Sequence, residues 1–505
     1  MLRWNQLSWW PALPQCVSRV SNSQLGHITG MKRTFLMLAL WLFAVVVSAA
    51  DAPRRPNIIV ILTDDQGYGD LSCHGNPILK TPNMDRLHAE GVRFTDFHVS
   101  PTCAPTRSAL LTGRHEFRNG ITHTIYERER LRLDAVTLPQ VLKRAGYRTG
   151  IFGKWHLGDE DEYQPGMRGF DEVFIHGGGG IGQSFPGSCG DAPGNMYTNP
   201  VLRHNGTFER TEGYCTDLFF AQAMRWMEQN KSDTPFFTWI ATNAPHTPLQ
   251  VRPEDEARYA GKVDADEAKF FGMIANIDDN IGKLLASLTT WGIERDTLVL
   301  FMNDNGGTKG VKVFSAGMRG AKVTPWLGGT RSASFWRWPG TLAPGDRSAL
   351  TAHVDVFRTL TELAGVSLNE VEQQQAEGRS LVPLLRDAQE PWAERTLVTH
   401  VGRWNRGSAP ETGKYKDCSV RTPRWHLVSV SKDGTKPVWQ LFDLSTDPSE
   451  TTEVTAANPQ VVTQLAAEFE SWWTSVRPQL VNEGIAGPAE NPYAVDFRIQ
   501  FGAAK

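Results

Sequence analysis

The chain of 505 residues has little cysteine, only six residues, and no two of them stand as C-x-x-C. That absence excludes a zinc ribbon and a thioredoxin-type redox motif. Low-complexity blocks are also missing, so the composition is that of a globular protein with a large core. The longest apolar run, Phe35–Val47, has thirteen residues and is too short to span a bilayer comfortably. Neither charge dominates, with 52 Lys and Arg against 55 Asp and Glu. Nucleic acid is therefore not an expected partner, and no stable membrane insertion is expected.

Around that apolar run the N-terminus reads as a secretory signal. Met31, Lys32 and Arg33 precede it, and Ser48-Ala49-Ala50 follows it. Residues 1–50 are the expected extension and signal peptide, with Met31 the expected start and a periplasmic or secreted product. That segment holds four basic residues and no acidic ones, so 48 basic residues remain against 55 acidic, a net of −7. Five cysteines remain: Cys73, Cys103, Cys189, Cys215 and Cys418. An odd number in an oxidising compartment leaves at least one thiol unpaired. Cys189 and Cys215 are the pair considered for a disulfide.

What is present is a repeated design. Asn57–Thr63 (NIIVILT) leads into Asp64-Asp65, and Thr297–Met302 leads into Asn303-Asp304-Asn305-Gly306-Gly307. Arg148–Gly153 leads into Lys154-Trp155-His156, Pro235–Thr242 into Ala244-Pro245-His246, and Val92–Val99 into Ser100 and Cys103. Uninterrupted apolar strands predict a sheet buried on both faces. A stripe at Phe270, Ile274, Ile277, Ile281, Leu284 and Leu288 predicts one covering helix, with Asp278 and Asp279 on its solvated face. The expected fold is α/β, a large mixed and mostly parallel sheet between helices over residues 51–395. Two hairpin strands and an amphipathic helix predict a small α+β subdomain over 396–505. Gly177–Gly182 (GGGGIG) is followed by no helix pattern, so it reads as a flexible loop near the site and not as a dinucleotide fingerprint.

Ligands in such sheets bind beyond the carboxyl ends of the strands. Folding would gather Asp64, Asp65, Cys103, Lys154, His156, His246, Asp304 and Asn305 on one rim. Three carboxylates there call for a cation, and oxygen donors select Ca²⁺, with Mg²⁺ second. Lys154, Lys322, Arg107, His156 and His246 make the rest an anion site. Cys103 precedes a helix start marked by Pro105, where N–H groups favour negative charge. A tetrahedral oxyanion ester is the natural substrate, and Cys103 sits where its nucleophile would sit. Yet a thiolate is a poor neighbour for a hard cation.

Cys103-Ala-Pro-Thr-Arg107, continuing to Arg114, resembles the signature of the formylglycine-dependent sulfatases of the alkaline-phosphatase superfamily. Gly146–His156 resembles their second signature, and Asp64-Asp65, the Asp304-Asn305-Gly-Gly turn and the Ala-Pro-His246 turn follow in the family's order. The resemblance implies that a maturation enzyme oxidises Cys103 to formylglycine, whose hydrate attacks sulfur and then expels sulfate. It implies Ca²⁺ on Asp64, Asp65, Asp304, Asn305 and the modified Cys103. Arg107 would position the diol and His156 would accept its proton. Lys154, His246 and Lys322 would hold sulfate, with His246 or Lys322 protonating the leaving oxygen. Two departures stand out: Thr106 replaces the commoner serine, and Trp326-Leu327-Gly-Gly-Thr-Arg331 replaces Tyr-Glu-Gly-Gly-x-Arg. The expected substrate is a sulfated glycan. A phosphate or phosphonate ester hydrolase on the same scaffold and a non-catalytic sulfoglycan-binding protein are the alternatives.

Overall fold

The computed structural model describes residues 55–502 except Asp233. The expected signal segment lies outside the described residues. Twelve strands belong to the first part of the chain. They are β1 (Asn57–Thr63), β2 (Val92–Phe94), β3 (Phe97–His98), β4 (Arg148–Lys154), β5 (Glu172–His176), β6 (Val201–His204), β7 (Thr207–Arg210), β8 (Phe236–Ala241), β9 (Thr297–Asn303), β10 (Ser334–Arg337), β11 (Gly345–Arg347) and β12 (Thr351–Ala352). Ten of them form one sheet in the order β11-β2-β10-β9-β1-β8-β4-β5-β6-β7. The central five, β9-β1-β8-β4-β5, are parallel, and antiparallel strands flank them on both sides.

β1 shows why this chain makes a two-faced sheet. All seven of its residues are buried. Ile58, Val60 and Leu62 enter one core, while Ile59 and Ile61 enter the other. A period of two with apolar residues at both phases has no solvent face, so helices must cover both sides. Cys103–Thr112 and Asp355–Leu363 cover the first; Cys215–Asn230 and Ala265–Thr290 cover the second. Each fully buried Ile, Leu or Phe is worth about 1.5–3 kcal/mol.

The stripe from Phe270 to Leu288 is buried as its spacing predicts. Asp278, expected on the solvated face, is instead buried at 1% exposure. Its carboxylate accepts from the backbone N–H groups of Asn83 (3.0 Å) and Met84 (2.7 Å), in the first turn of the helix Pro82–Glu90. Free N–H groups at a helix start attract an acid, and here it comes from another helix.

The segment Val92–Val99 is not one strand. Thr95 and Asp96 break it, and Asp96 accepts from Arg421 (2.8 Å) of the C-terminal part. β2 pairs with β10 and β11, and β3 pairs with β12, so neither lies among the central strands.

From Leu397 onward four antiparallel strands form a second sheet: β13 (Leu397–His400), β14 (Cys418–Arg421), β15 (Trp425–Ser429) and β16 (Trp439–Asp443). The helix Pro459–Val476 lays Leu465, Phe469, Trp473 and Val476 on Val420, Leu427 and Leu441. Among the described residues no helix is long and apolar enough to cross a membrane.

Candidate active site

Strand register brings the acids together. Thr63 of β1 lies beside Asn303 of β9, so the next residues, Asp64 and Asp304, leave neighbouring strands side by side. The Asp304 N–H donates to the Thr63 carbonyl at 3.0 Å. β4 ends at Lys154, and His156 follows with φ of 61°. β8 leads to His246, while the Asp64 N–H reaches the Ala244 carbonyl (3.4 Å). Cys103 is the first residue of a helix whose ten residues are all buried.

Each carboxylate has a basic partner. Lys154 Nζ lies 2.6 Å from Asp64, and Arg107 Nη2 lies 2.7 Å from Asp304, all four side chains at 0–1% exposure. Lys322 Nζ pairs with Asp65. Lys154 is thus a buried cation and Lys322 a half-buried one that faces the site. Arg107 also donates Nη1 to the Lys154 carbonyl (3.0 Å), so it is fixed between two strand ends. Burial by itself would raise Asp64, but Lys154, backed by His246, Lys322 and Arg107, holds it well below the usual carboxylate range. Burial and the adjacent Asp64 push Asp304 well up.

These pairs leave two oxygens over. Asp64 Oδ1 and Asn305 Oδ1 are buried without a hydrogen-bond partner. Ligand atoms of Asp64, Cys103 and Asp304 lie within 4.8 Å of one another, as do those of Asp64, Asp65 and His246. Unsatisfied buried oxygens cost free energy unless something binds them. A donor set of carboxylate and amide oxygens fits a hard divalent cation.

Cys103 Sγ is 3.4 Å from His156 Nδ1. His156 Nε2 lies 2.8 Å from the Thr124 carbonyl, so Nε2 carries the ring proton and Nδ1 presents a lone pair to Cys103. Burial, reinforced by Lys154, keeps His156 well below its ordinary range and therefore neutral. Burial pushes the Cys103 thiol up, but Lys154 and Lys322 outweigh it and the net shift is downward. Thr106 Oγ1 donates to the Ser100 carbonyl at 3.2 Å.

These groups open into a cavity of about 280 Å³. Cys103, His156, His246 and Lys322 line it, together with His123, Thr124, Ile125, Gly179, Gln183, Phe185 and Arg403. Of this second set the sequence pattern indicated only Gly179, through the loop Gly177–Gly182. His123 stands in no motif, and Arg403 comes from the C-terminal part with none around it. Ser184, between Gln183 and Phe185, is not among the residues that line the cavity.

The loop Gly177–Gly182 does lie at the site, but it is pinned and not free. Asp159 accepts from the N–H groups of Gly178 (3.1 Å) and Gly190 (2.7 Å), and Asp191 from Gly177 (3.0 Å) and Gly182 (2.8 Å). Gly179 packs so closely that a Cβ there would stand 2.7 Å from His156 Nε2. At the second departure, Leu327 opens a short helix whose first N–H donates to Glu450 Oε2 at 3.1 Å. A buried carboxylate is therefore supplied there by the C-terminal part. Cys189 and Cys215 are buried free thiols, not a disulfide.

Comparison with known proteins adds an independent line. A family model described as Sulfatase matches residues 56–366, and one described as N-sulphoglucosamine sulphohydrolase, C-terminal, matches residues 329–475. The chain is similar to N-acetylgalactosamine-6-sulfatase of Mus musculus, 33% identical over 405 residues and 75% of each chain. It is similar to arylsulfatase A of Homo sapiens, 33% identical over 451 residues, 82% of this chain and 86% of the relative. The crystal structure of Ps i-CgsB in complex with k-i-k-neocarrahexaose resembles it with a TM-score of 0.73 at 28% identity, over 88% of this chain and 97% of that one.

Proposed function

Since this chain belongs to the sulfatase family of the alkaline-phosphatase superfamily and is a sulfuric ester hydrolase, we propose that it acts on a sulfated carbohydrate, as an exported enzyme with formylglycine at Cys103 and a bound Ca²⁺. The observation that carries this reading is the meeting of Cys103 with the lone pair of His156 Nδ1, beside two unsatisfied buried oxygens. The carbohydrate reading draws on relatives: one is named for N-acetylgalactosamine-6-sulfate and a similar solved structure holds k-i-k-neocarrahexaose. Export is proposed on the Lys32-Arg33 and Phe35–Val47 pattern. In this reading residues 396–505 are a subdomain that helps close the site.

Asp64, Asp65, Asp304 and Asn305, with the modified Cys103, would hold Ca²⁺. When bound, the cation supplies positive charge for the sulfate oxygens and for the charge developing on them. The formylglycine, as its hydrate, supplies an oxygen nucleophile compatible with calcium. The chain's own residues do the rest. Arg107 holds Asp304 and the end of β4 in register, which fixes where the diol stands. His156 stays neutral and takes a proton at Nδ1, while Thr124 keeps its ring oriented through Nε2. Lys154, Lys322 and His246 hold sulfate oxygens. His246 Nδ1 is committed to the Thr247 carbonyl (2.6 Å), so Nε2 is the atom that exchanges a proton with the leaving oxygen, with Lys322 Nζ the other donor in reach.

The test is mass spectrometry of the tryptic peptide Phe94–Arg107, from protein made in a host that carries the maturation enzyme. An aldehyde in place of the thiol, together with sulfate release from sulfated glycans, is the expected result. An unmodified thiol with no sulfate release would overturn the reading. Faster turnover of matched phosphate esters would move the assignment to phosphoryl chemistry.

A further inference from the structure

Arg403 lines the same cavity as Cys103, and it is an odd arginine. Its neighbours all have acids. Arg406 pairs with Glu127 (3.1 Å), Arg128 with Glu483 (2.9 Å) and Arg107 with Asp304. Arg403 forms no ion pair with any described residue. Its Nη2 donates to Thr124 Oγ1 at 2.8 Å, and its Nε is buried with no partner at all. The negative groups whose charge reaches it are those of the site itself, Cys103 and Asp65. Arg403 is half-buried, and a guanidinium drawn partly out of water without an anion carries a desolvation cost that is not repaid.

The backbone around it is built to hold it there. Arg403 has φ of 62°, a left-handed conformation that a non-glycine residue rarely keeps without support. The support comes from residue 122: the Arg403 N–H donates to the Thr122 carbonyl at 3.0 Å. Gly402, with φ of 68°, lets the two segments approach so closely that a Cβ would stand 2.1 Å from that same oxygen. Arg128 closes the other side, donating to the Trp404 carbonyl (2.8 Å) and lying 4.5 Å over its ring. Two further wall residues carry no charge: His123 accepts the Thr124 N–H at Nδ1 (2.8 Å) and is neutral, and Gln183 is an amide.

We propose that Arg403 is a specificity-determining residue that binds an anionic substituent, a carboxylate or a second sulfate, on the alcohol that leaves. The proposal rests on the reading of the cavity as a sulfate-ester site and adds what the rest of the substrate carries. In that reading Lys154 and Lys322 serve the rim acids and the sulfate that is cleaved, and Arg107 is held by Asp304, so Arg403 is the cation left for a second negative group. A guanidinium suits either anion, since its fork matches both oxyanions.

The experiment uses phenyl sulfate, 3- and 4-carboxyphenyl sulfate, and benzene-1,3-diyl disulfate. The readout is the kcat/KM ratio of each anionic ester to phenyl sulfate, in wild type and in Arg403→Gln. Comparing ratios cancels the intrinsic difference between leaving groups. The expected result is a fall in the ratio of about tenfold or more in Arg403→Gln, carried mainly by KM, with Arg403→Lys keeping part of it. The carboxylate and disulfate arms say which anion the residue serves. Ratios unchanged in every arm would overturn the proposal.

A second measurement needs no turnover. Calorimetry compares benzenesulfonate with 3-carboxybenzenesulfonate on the full chain. Tighter binding of the carboxylated compound to wild type, lost in Arg403→Gln and weakened by salt in wild type, is expected. Equal affinity of the two sulfonates for wild type would overturn the proposal even if the variant does not fold. Absence of sulfate release alongside the expected binding would count against the hydrolase reading and not against Arg403.

Discussion

His156 is the residue whose local geometry says most about chemistry. Its Nε2 is tied to Thr124 and its Nδ1 faces Cys103, so its tautomer is set by one backbone carbonyl. In the proposed mechanism, replacing it with alanine would leave the formylglycine diol without its proton acceptor, and kcat is expected to fall by about 10²–10⁴-fold. Steady-state kinetics on the modified enzyme checks this, and retention of near wild-type kcat would remove His156 from the mechanism. Gly179 gives a second test at this scale. A methyl there meets His156 Nε2 at 2.7 Å, so Gly179→Ala should displace the ring and lower kcat while the melting temperature stays within a few degrees. A variant with full activity would show that the ring moves without cost.

At the scale of elements, the loop from Gly177 to Asp191 is held over the cavity by buried acids. Asp159 and Asp191 take its N–H groups, and Glu129 accepts from Ser188 Oγ. Burial raises Glu129 from 4.5 to about 7, with its second oxygen unpartnered. A carboxyl raised on folding binds more protons in the native state than in the unfolded one. Its contribution is therefore full below pH 4.5 and is lost as pH climbs to about 7. Glu129→Gln keeps the acceptor and cannot ionise. Relative to wild type, the variant should gain up to about 3 kcal/mol of stability between pH 4.5 and pH 8. Urea titrations across that range check it, and parallel curves would mean that Glu129 is ionised in the native protein.

At the scale of the whole molecule, the C-terminal part is joined to the rest by charge as well as by apolar packing. Arg421 of β14 donates to Asp96 (2.8 Å) and lies 2.8 Å from His98 Nε2. The same Asp96 splits the segment that leads to Cys103 into β2 and β3. Arg421→Ala leaves the half-buried Asp96 with only His98 Nε2 beside it (3.0 Å), and an expected loss of about 1–2 kcal/mol follows. Chemical denaturation measures it, and a loss below about 0.5 kcal/mol would show the pair to be dispensable. The proposed cation acts at this scale too, because it would bridge β1 and β9. Chelation should abolish activity and lower the melting temperature, with Ca²⁺ restoring both. Binding to the native state alone adds about 2.7 kcal/mol at a hundredfold excess over Kd. A melting temperature indifferent to chelator and Ca²⁺ would argue against a structural cation between those strands.

The amino-acid sequence by itself determined four of the five central strands (β1, β4, β8 and β9), the helix stripe from Phe270 to Leu288, and which acids and bases share one rim. The reason is local: apolar runs declare buried strands, and polar residues just past them share an edge once the strands are parallel. Thr63 beside Asn303 is enough to place Asp64 next to Asp304. The tertiary structure alone decided what long-range contact controls. It buried Asp278 on the start of another helix, broke Val92–Val99 at Asp96, and pinned the glycine loop with Asp159 and Asp191. It also brought Arg403 and Glu450 from the C-terminal part to places that no spacing in the chain foretells. Each of these depends on partners that are distant in sequence, and a charge or N–H group satisfied by such a partner leaves no periodic trace in the residues around it.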